Sequence, residues 1–404
     1  MSDPTEDSQP DIAALSMDTS PPLKATNTSP HSPKVHEEPT TLAHRSHNPT
    51  NNLKRSDPFK FGSRYLEPTD DVFEFNAWDH VVPDDEYYSY AEAQYESQRA
   101  SPVSDFDKKR FNTDPAKWWN RFYSNNTSNF FKDRKWLQQE FSVLTEVVTP
   151  RAGRKVVLEV GAGAGNTAFP ILKLNENEEL MIHACDFSVN AVELMRGNAA
   201  YDEKYIHASV WDISSDSLPE GVEEGSVDVV LLVFIFSALS PTQWENAVRN
   251  VRRCLKPGGE VCFRDYGKGD LTQVRFKKER LLEENFYVRG DGTRVYFFEE
   301  AELRGIWGGK AEAEVMVEED EDSKGEEATD TSSDYTNSNG DALDSAEAKA
   351  EQNGDDHAPA SEYPFEIVSL GVDRRMLVNR RTQLKMFRCW IQGRFKKPDT
   401  VAPG

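Results

Sequence analysis

The stretch Val156-Val157-Leu158-Glu159-Val160-Gly161-Ala162-Gly163-Ala164-Gly165-Asn166 constrains the fold more than any other. An apolar, β-branched run ends in an acid and then in three glycines at alternate positions. This pattern spells a buried parallel strand that turns sharply into a helix. Glycine permits the tight turn and lets a ligand approach where a Cβ would block it. Open α/β sheets bind ligands outside the carboxyl ends of their strands. Two cofactor classes suit such a loop, a dinucleotide and S-adenosylmethionine.

Downstream the text alternates strand and helix, which predicts a mostly parallel sheet with helices on both faces. Expected strands are 155–160, 180–186, 205–210, 227–236 and 260–265. Expected helices are 167–174, 188–198, 241–255 and 271–284. Lys256-Pro257-Gly258-Gly259 reads as a turn. Two final strands, 366–375 and 385–395, read as a hairpin at one sheet edge. Ahead of the sheet, 57–150 reads as a helical, aromatic extension bearing Trp118, Trp119, Phe122, Tyr123, Phe130, Phe131, Trp136 and Phe141, with Lys132, Arg134 and Lys135 among them. The core domain is then 151–398.

The net charge of −23 seems to exclude a nucleic-acid partner, but its distribution does not. Residues 311–360 hold 17 Asp/Glu against 2 Lys, and residues 1–103 hold 18 Asp/Glu against 8 Lys/Arg. The remaining core is nearly neutral and slightly basic. Residues 1–56, rich in Ser, Thr, Pro and Asn, form a tail that cannot bury a core. Its Ser-Pro pairs read as plain composition. The acidic 311–361 is a low-complexity insert looping out of one domain, and 399–404 is a short tail. Cys185, Cys254, Cys262 and Cys389 are far apart and form no CxxC pair, so buried free thiols are expected and no metal site. The amino terminus has no apolar signal segment, and the longest apolar run is too short to span a bilayer. A cytoplasmic location is the expectation, with the nucleus not excluded and no membrane partner.

Three acids qualify the glycine loop. Glu159 precedes it. Asp186 ends the second strand, where an acid suits the two ribose hydroxyls of an adenosine. Asp212 follows the third. The glycines run G-x-G-x-G, whereas a pyrophosphate site expects G-x-G-x-x-G, so S-adenosylmethionine is favoured. After the fourth strand, Val233-Phe234-Ile235-Phe236 lacks the Asn/Asp-Pro-Pro-aromatic motif of amino-group methylation. That absence favours a ring nitrogen with a free lone pair. Arg264 and Asp265 end the fifth strand beside the expected cofactor and are the catalytic candidates, with a structural ion pair as the plain alternative. Finally, Glu284–Phe298 mixes cations and aromatics around an Asp-Gly turn, reading as a hairpin that presents Arg289 and Arg294 to RNA. Lys132, Arg134 and Arg374 share that texture.

Together these motifs resemble the RNA cytidine methyltransferase-like family that makes 3-methylcytidine in the tRNA anticodon loop. The residues carrying the resemblance are Trp119-Asn120-Arg121-Phe122-Tyr123, Asn129-Phe130-Phe131-Lys132-Asp133-Arg134, the glycine loop, Cys185-Asp186-Phe187-Ser188, Phe263-Arg264-Asp265-Tyr266-Gly267 and the segment Glu284–Arg294. Phe61-Gly62-Ser63-Arg64-Tyr65-Leu66 and Asn76-Ala77-Trp78-Asp79 resemble the branch acting on threonine tRNA. The resemblance implies a class I, Rossmann-like, S-adenosylmethionine-dependent methyltransferase acting at position 32 of tRNA. It implies cofactor contacts at Trp119, Tyr123, Gly161, Asp186, Asp212 and Val233. Ala162 departs from the family's usual Cys, and the acidic insert is not a family feature. Rival readings are the same activity on serine or arginine tRNA, a methyltransferase for a small molecule or protein, and a non-catalytic scaffold docking tRNA or an aminoacyl-tRNA synthetase.

Overall fold

The structure, a computed structural model, describes residues 64–128, 130–309 and 364–399. The tail, the insert, Asn129 and Phe61-Gly62-Ser63 therefore lie outside the described residues. The strands are β1 (Ala77–Asp79), β2 (Lys155–Val160), β3 (Leu180–Asp186), β4 (Ile206–Val210), β5 (Val227–Val233), β6 (Leu255–Tyr266), β7 (Leu281–Glu283), β8 (Phe286–Val288), β9 (Arg294–Tyr296), β10 (Glu366–Asn379) and β11 (Leu384–Lys396).

Among the described residues the main sheet has eight strands in the order β1-β10-β11-β6-β5-β2-β3-β4. From β4 through β6 the pairs are parallel. The β10–β11 hairpin then joins antiparallel to β6, and β1 caps it. The chain runs outward from β2 in both directions, so the order reverses between β2 and β5, and a crevice opens there at the carboxyl ends. This is the Rossmann-like class I arrangement.

Alternation along β2 divides the core. Val156, Leu158 and Val160 face one layer, packed by helix Trp244–Cys254 and helix Glu300–Gly308. Val157 faces the other, covered by Leu137–Val148 and by helices Ala168–Lys173 and Val189–Arg196. Helix Asp85–Arg99, capped by Asp84, packs through Tyr87, Ala91 and Tyr95 against Phe387 and Met376. The segment expected as a separate extension thus also supplies the sheet's edge strand, β1.

Two expectations change. The turn at Lys256–Gly259 is absorbed into β6, with a register shift against β5 taking up the irregular residues. The helix expected over 271–284 is only Leu271–Val274. Its apolar residues Leu281 and Leu282 are drawn instead into β7, which joins the β8–β9 hairpin as a small second sheet. The reason is tertiary: Phe276 stacks on Tyr287 at 4.7 Å, and the Gln273 amide donates to Asn285 at 3.0 Å. All four cysteines are free and buried. The residues flanking the acidic insert meet, the Phe365 amide donating to the Trp307 carbonyl at 2.8 Å. The insert therefore leaves and re-enters the fold at one point.

Candidate functional site

A cavity of about 230 Å³ opens where the strands end. Gly161 and Gly163 line it from the loop after β2, Asp186 from the end of β3, Asp212 and Ile213 beyond β4, and Phe234, Ile235 and Ser237 beyond β5. Trp119 and Tyr123 lean in from helix Pro115–Asn126, which Asp114 caps. Arg289, Asp291, Thr293 and Arg294 close the opposite side.

The glycines serve close approach by side chains. A Cβ at Gly163 would lie 2.5 Å from the Tyr123 hydroxyl, and one at Gly161 would collide with Ile235. Both have φ near +60°, a region that strains residues bearing a side chain.

Asp186 is held by its own surroundings. One oxygen accepts from the Gly163 amide and the other from the Ser188 amide, both at 2.8 Å. Burial nevertheless raises its carboxyl to about 6, the amides pulling it back. Each carboxylate oxygen has a further lone pair, so Asp186 can still accept from a ligand. Asp212 accepts from the Ser214 amide and hydroxyl at 2.8 and 2.7 Å. Glu159 is 1 % exposed, with the Thr167 hydroxyl and the Ala168 amide the hydrogen-bond donors facing its carboxyl. Burial pushes its carboxyl up to about 7, with Arg134, 3.9 Å away, opposing.

Several charged residues lie elsewhere than their sequence suggested. Arg134 turns inward, donating to the Thr167 hydroxyl at 3.1 Å, and its backbone amide bonds to Asn166. It is half-buried and lines the cavity. Arg294 is 5 % exposed and donates to Asn112, the Ala238 carbonyl and Gln243 at 3.0–3.2 Å. It clamps the loop after β5 while lining the cavity. Lys132 is exposed and Arg374 half-buried.

The two catalytic candidates do not line the cavity. Arg264 is buried between the Trp136 and Trp390 rings, 5.2 Å from each, and paired with Asp373 at 2.7 Å. Asp265 is fully buried, accepting from the Ser237 and Tyr266 amides at 2.9 Å. Burial lifts its carboxyl to about 6. Both side chains are taken up by protein partners, and neither is among the residues lining the cavity. Val233 is likewise core, and its neighbours Phe234 and Ile235 reach the cavity instead.

Known proteins match this arrangement. Residues 158–261 match the family described as a methyltransferase domain. The chain is 41% identical over 337 residues to the tRNA N(3)-methylcytidine methyltransferase trm140 of Schizosaccharomyces pombe, covering 83% of this chain and 92% of that protein. It is 37% identical to tRNA N(3)-methylcytidine methyltransferase Mettl2 of Drosophila melanogaster, covering 85% and 90%. This chain belongs to the tRNA N(3)-methylcytidine methyltransferase family. It is also 45% identical over 348 residues to the tRNA(Thr) (cytosine(32)-N(3))-methyltransferase of Saccharomyces cerevisiae, spanning 86% of this chain and about half, 47%, of that relative. Members of such a family are enzymes that use S-adenosyl-L-methionine. The donor set agrees with that cofactor, with two strand-end acids suited to an adenosine. Among the described residues there is no cluster of three or more potential metal ligands, and no helix is long and apolar enough to cross a membrane.

Proposed function

We propose that this chain methylates N3 of cytidine 32 in the tRNA anticodon loop, with threonine tRNA as its substrate. One observation carries the reading. The strand-end acids, the aromatic helix and the Arg289–Arg294 hairpin converge on one cavity, in a chain similar along most of its length to relatives named for this product.

In this reading Asp186 accepts the ribose hydroxyls and Asp212 the adenine amino group. Gly161 gives the loop its turn, while Trp119 and Tyr123 cover the cofactor. Ile235, packed against the glycine loop, takes the place expected of Val233. When bound, S-adenosylmethionine supplies a methyl group on a cationic sulfur. Transfer of that methyl to the N3 lone pair, with its bond to sulfur breaking, would leave a neutral thioether and place the positive charge on the base. Neutral N3 carries no proton to remove, so no general base is needed. Alignment and electrostatics supply the rate. The base would be splayed out of its loop to enter the cavity. Asp265 positions the Ser237 and Tyr266 backbone, and Arg264 stiffens the end of β6. Lys132 and Arg374 contact RNA from the surface, with Arg289 at the mouth.

The cytoplasm is the proposed site of action, and a synthetase for the same tRNA is the proposed presenting partner. Purified protein, labelled S-adenosylmethionine and total tRNA should yield 3-methylcytidine in threonine tRNA. Product only after cell extract is added supports the partner. Product in serine or arginine tRNA alone refutes the tRNA assignment, and none with or without extract refutes the activity.

A further inference from the structure

We infer that Phe234 and Tyr266 form the wall against which the target base lies and on which its new positive charge is stabilised. The inference rests on the reaction proposed above.

Phe234 follows the last residue of β5 with φ +61°. A residue bearing a side chain is strained there, and such strain persists only where the surroundings enforce it, commonly at functional sites. Here the enforcement is visible: the Phe234 amide donates to the Arg264 carbonyl at 2.8 Å, and Arg264 is itself locked between two tryptophans. The kink brings the ring to the cavity, among the residues lining it. The Tyr266 ring meets it at 4.9 Å, tilted by 46°. Tyr266 ends β6, its amide fixed by Asp265 at 2.9 Å. The neighbouring ends of β5 and β6 therefore each deliver one half-buried aromatic ring to the same wall.

Both rings already sit beside cations. The Arg134 guanidinium is 5.8 Å from the Phe234 centroid, and that of Arg289 is 5.7 Å from the Tyr266 centroid. Arg289 is in turn close enough to the buried Asp265 to lower its carboxyl's affinity for protons, so this cation does not stand alone. A ring face attracts a cation more than a neutral base. Cytosine enters neutral and leaves as a cation. The attraction therefore grows along the reaction, which is the condition for it to raise the rate rather than merely tighten binding.

The test compares Phe234→Gly, Tyr266→Leu and Tyr266→Phe in the full chain. Glycine suits φ +61°, so the first variant keeps the backbone while removing the ring. Cofactor affinity is measured by calorimetry, and the single-turnover rate at saturating cofactor and tRNA. The first two variants should be slower by about tenfold, with cofactor affinity within about twofold of wild type. Tyr266→Phe, which keeps the ring, should be close to wild type. The wild type should also bind tRNA carrying 3-methylcytidine more tightly than unmodified tRNA, and the ring-less variants should lose that preference. Rates unchanged in both ring-less variants overturn the inference. So does a loss of cofactor affinity matching the loss of rate, which would place the rings in the cofactor site. A wild type that forms no 3-methylcytidine instead sinks the proposed activity itself.

Discussion

The hairpin that closes one side of the cavity is latched to the helix that covers the other. Gly292, at the hairpin turn, has φ +89°, and a Cβ there would lie 2.2 Å from Cε3 of Trp118 and 2.5 Å from Cδ2. Trp118 has little freedom to retreat, because Phe111 packs at 5.2 Å and the Arg110 guanidinium lies 5.8 Å from its ring. Gly292→Ala imposes two costs. A side-chain-bearing residue in that backbone region loses roughly 1 kcal/mol. Displacing the indole forfeits much of the Phe111–Trp118 pair, about another 1 kcal/mol. A total of about 2 kcal/mol corresponds to a fall in Tm of roughly 4–8 °C for a domain of this size. Because Trp119 and Tyr123 share the helix with Trp118, the same cost should loosen the cofactor cover, by up to about 30-fold in Kd if the bound state bears all of it. The control is Gly290→Ala, two residues away, where nothing lies within 4 Å of the added Cβ. Calorimetric titration with S-adenosylhomocysteine and thermal melts measure both effects. If the two alanine variants behave alike, Trp118 yields freely and the latch does not exist.

Three further outcomes follow from the site. In the folded chain the Glu159 carboxyl is raised to about 7 from 4.5, so ionising it costs stability progressively between those values and fully above pH 7. Glu159→Gln should therefore be more stable than wild type at pH 8, by on the order of 2–3 kcal/mol, and no more stable near pH 4.5; urea unfolding at the two pH values would falsify this if the difference did not grow with pH. Asp186→Ala strips the acceptor from the Gly163 and Ser188 amides as well as from the ribose, and should weaken cofactor binding by about 30-fold or more; unchanged affinity in calorimetry sinks the ribose assignment. Lys132→Ala should reduce the slope of log K for tRNA against log salt by roughly 1 without altering Tm, whereas Arg294→Ala should lower Tm and leave the slope alone; the reverse pattern would put Arg294, not Lys132, on the RNA.

The parallel half of the sheet was readable because buried strands there have a simple text. β2 and β3 begin and end where their apolar runs do, and Asp186 and Asp212 follow from counting to the strand ends. Errors arose where distant residues decide. Val233 and Phe234 are neighbours, and parity alone cannot say which meets the cavity; the left-handed kink at Phe234 decides, and nothing local announces it. Arg134 and Arg294 read as solvent-facing because they are charged. Their burial depends on Thr167, Asn112, Ala238 and Gln243, which lie 33 to 182 residues away in sequence. Arg264 and Asp265 do end a strand, but their side chains are taken up by Asp373 and by the Ser237 and Tyr266 amides. The segment 271–284 has helical composition, yet Leu281 and Leu282 gain more by joining the hairpin.

The order of the sheet also dictates when it can be finished. β6 ends at Tyr266, and its outer neighbour β11 begins only at Leu384, beyond the acidic insert. At ribosomal rates of about 5–20 residues per second, those intervening residues take roughly 6–24 s to synthesise. During that interval the nascent chain carries β6 as an open edge, with Phe263 and Trp307 lacking Phe395, the ring that later stacks on Trp307 at 4.6 Å. β1, made long before, waits equally for β10. Nascent chains of this protein must therefore be shielded from edge-to-edge association until the last hairpin emerges.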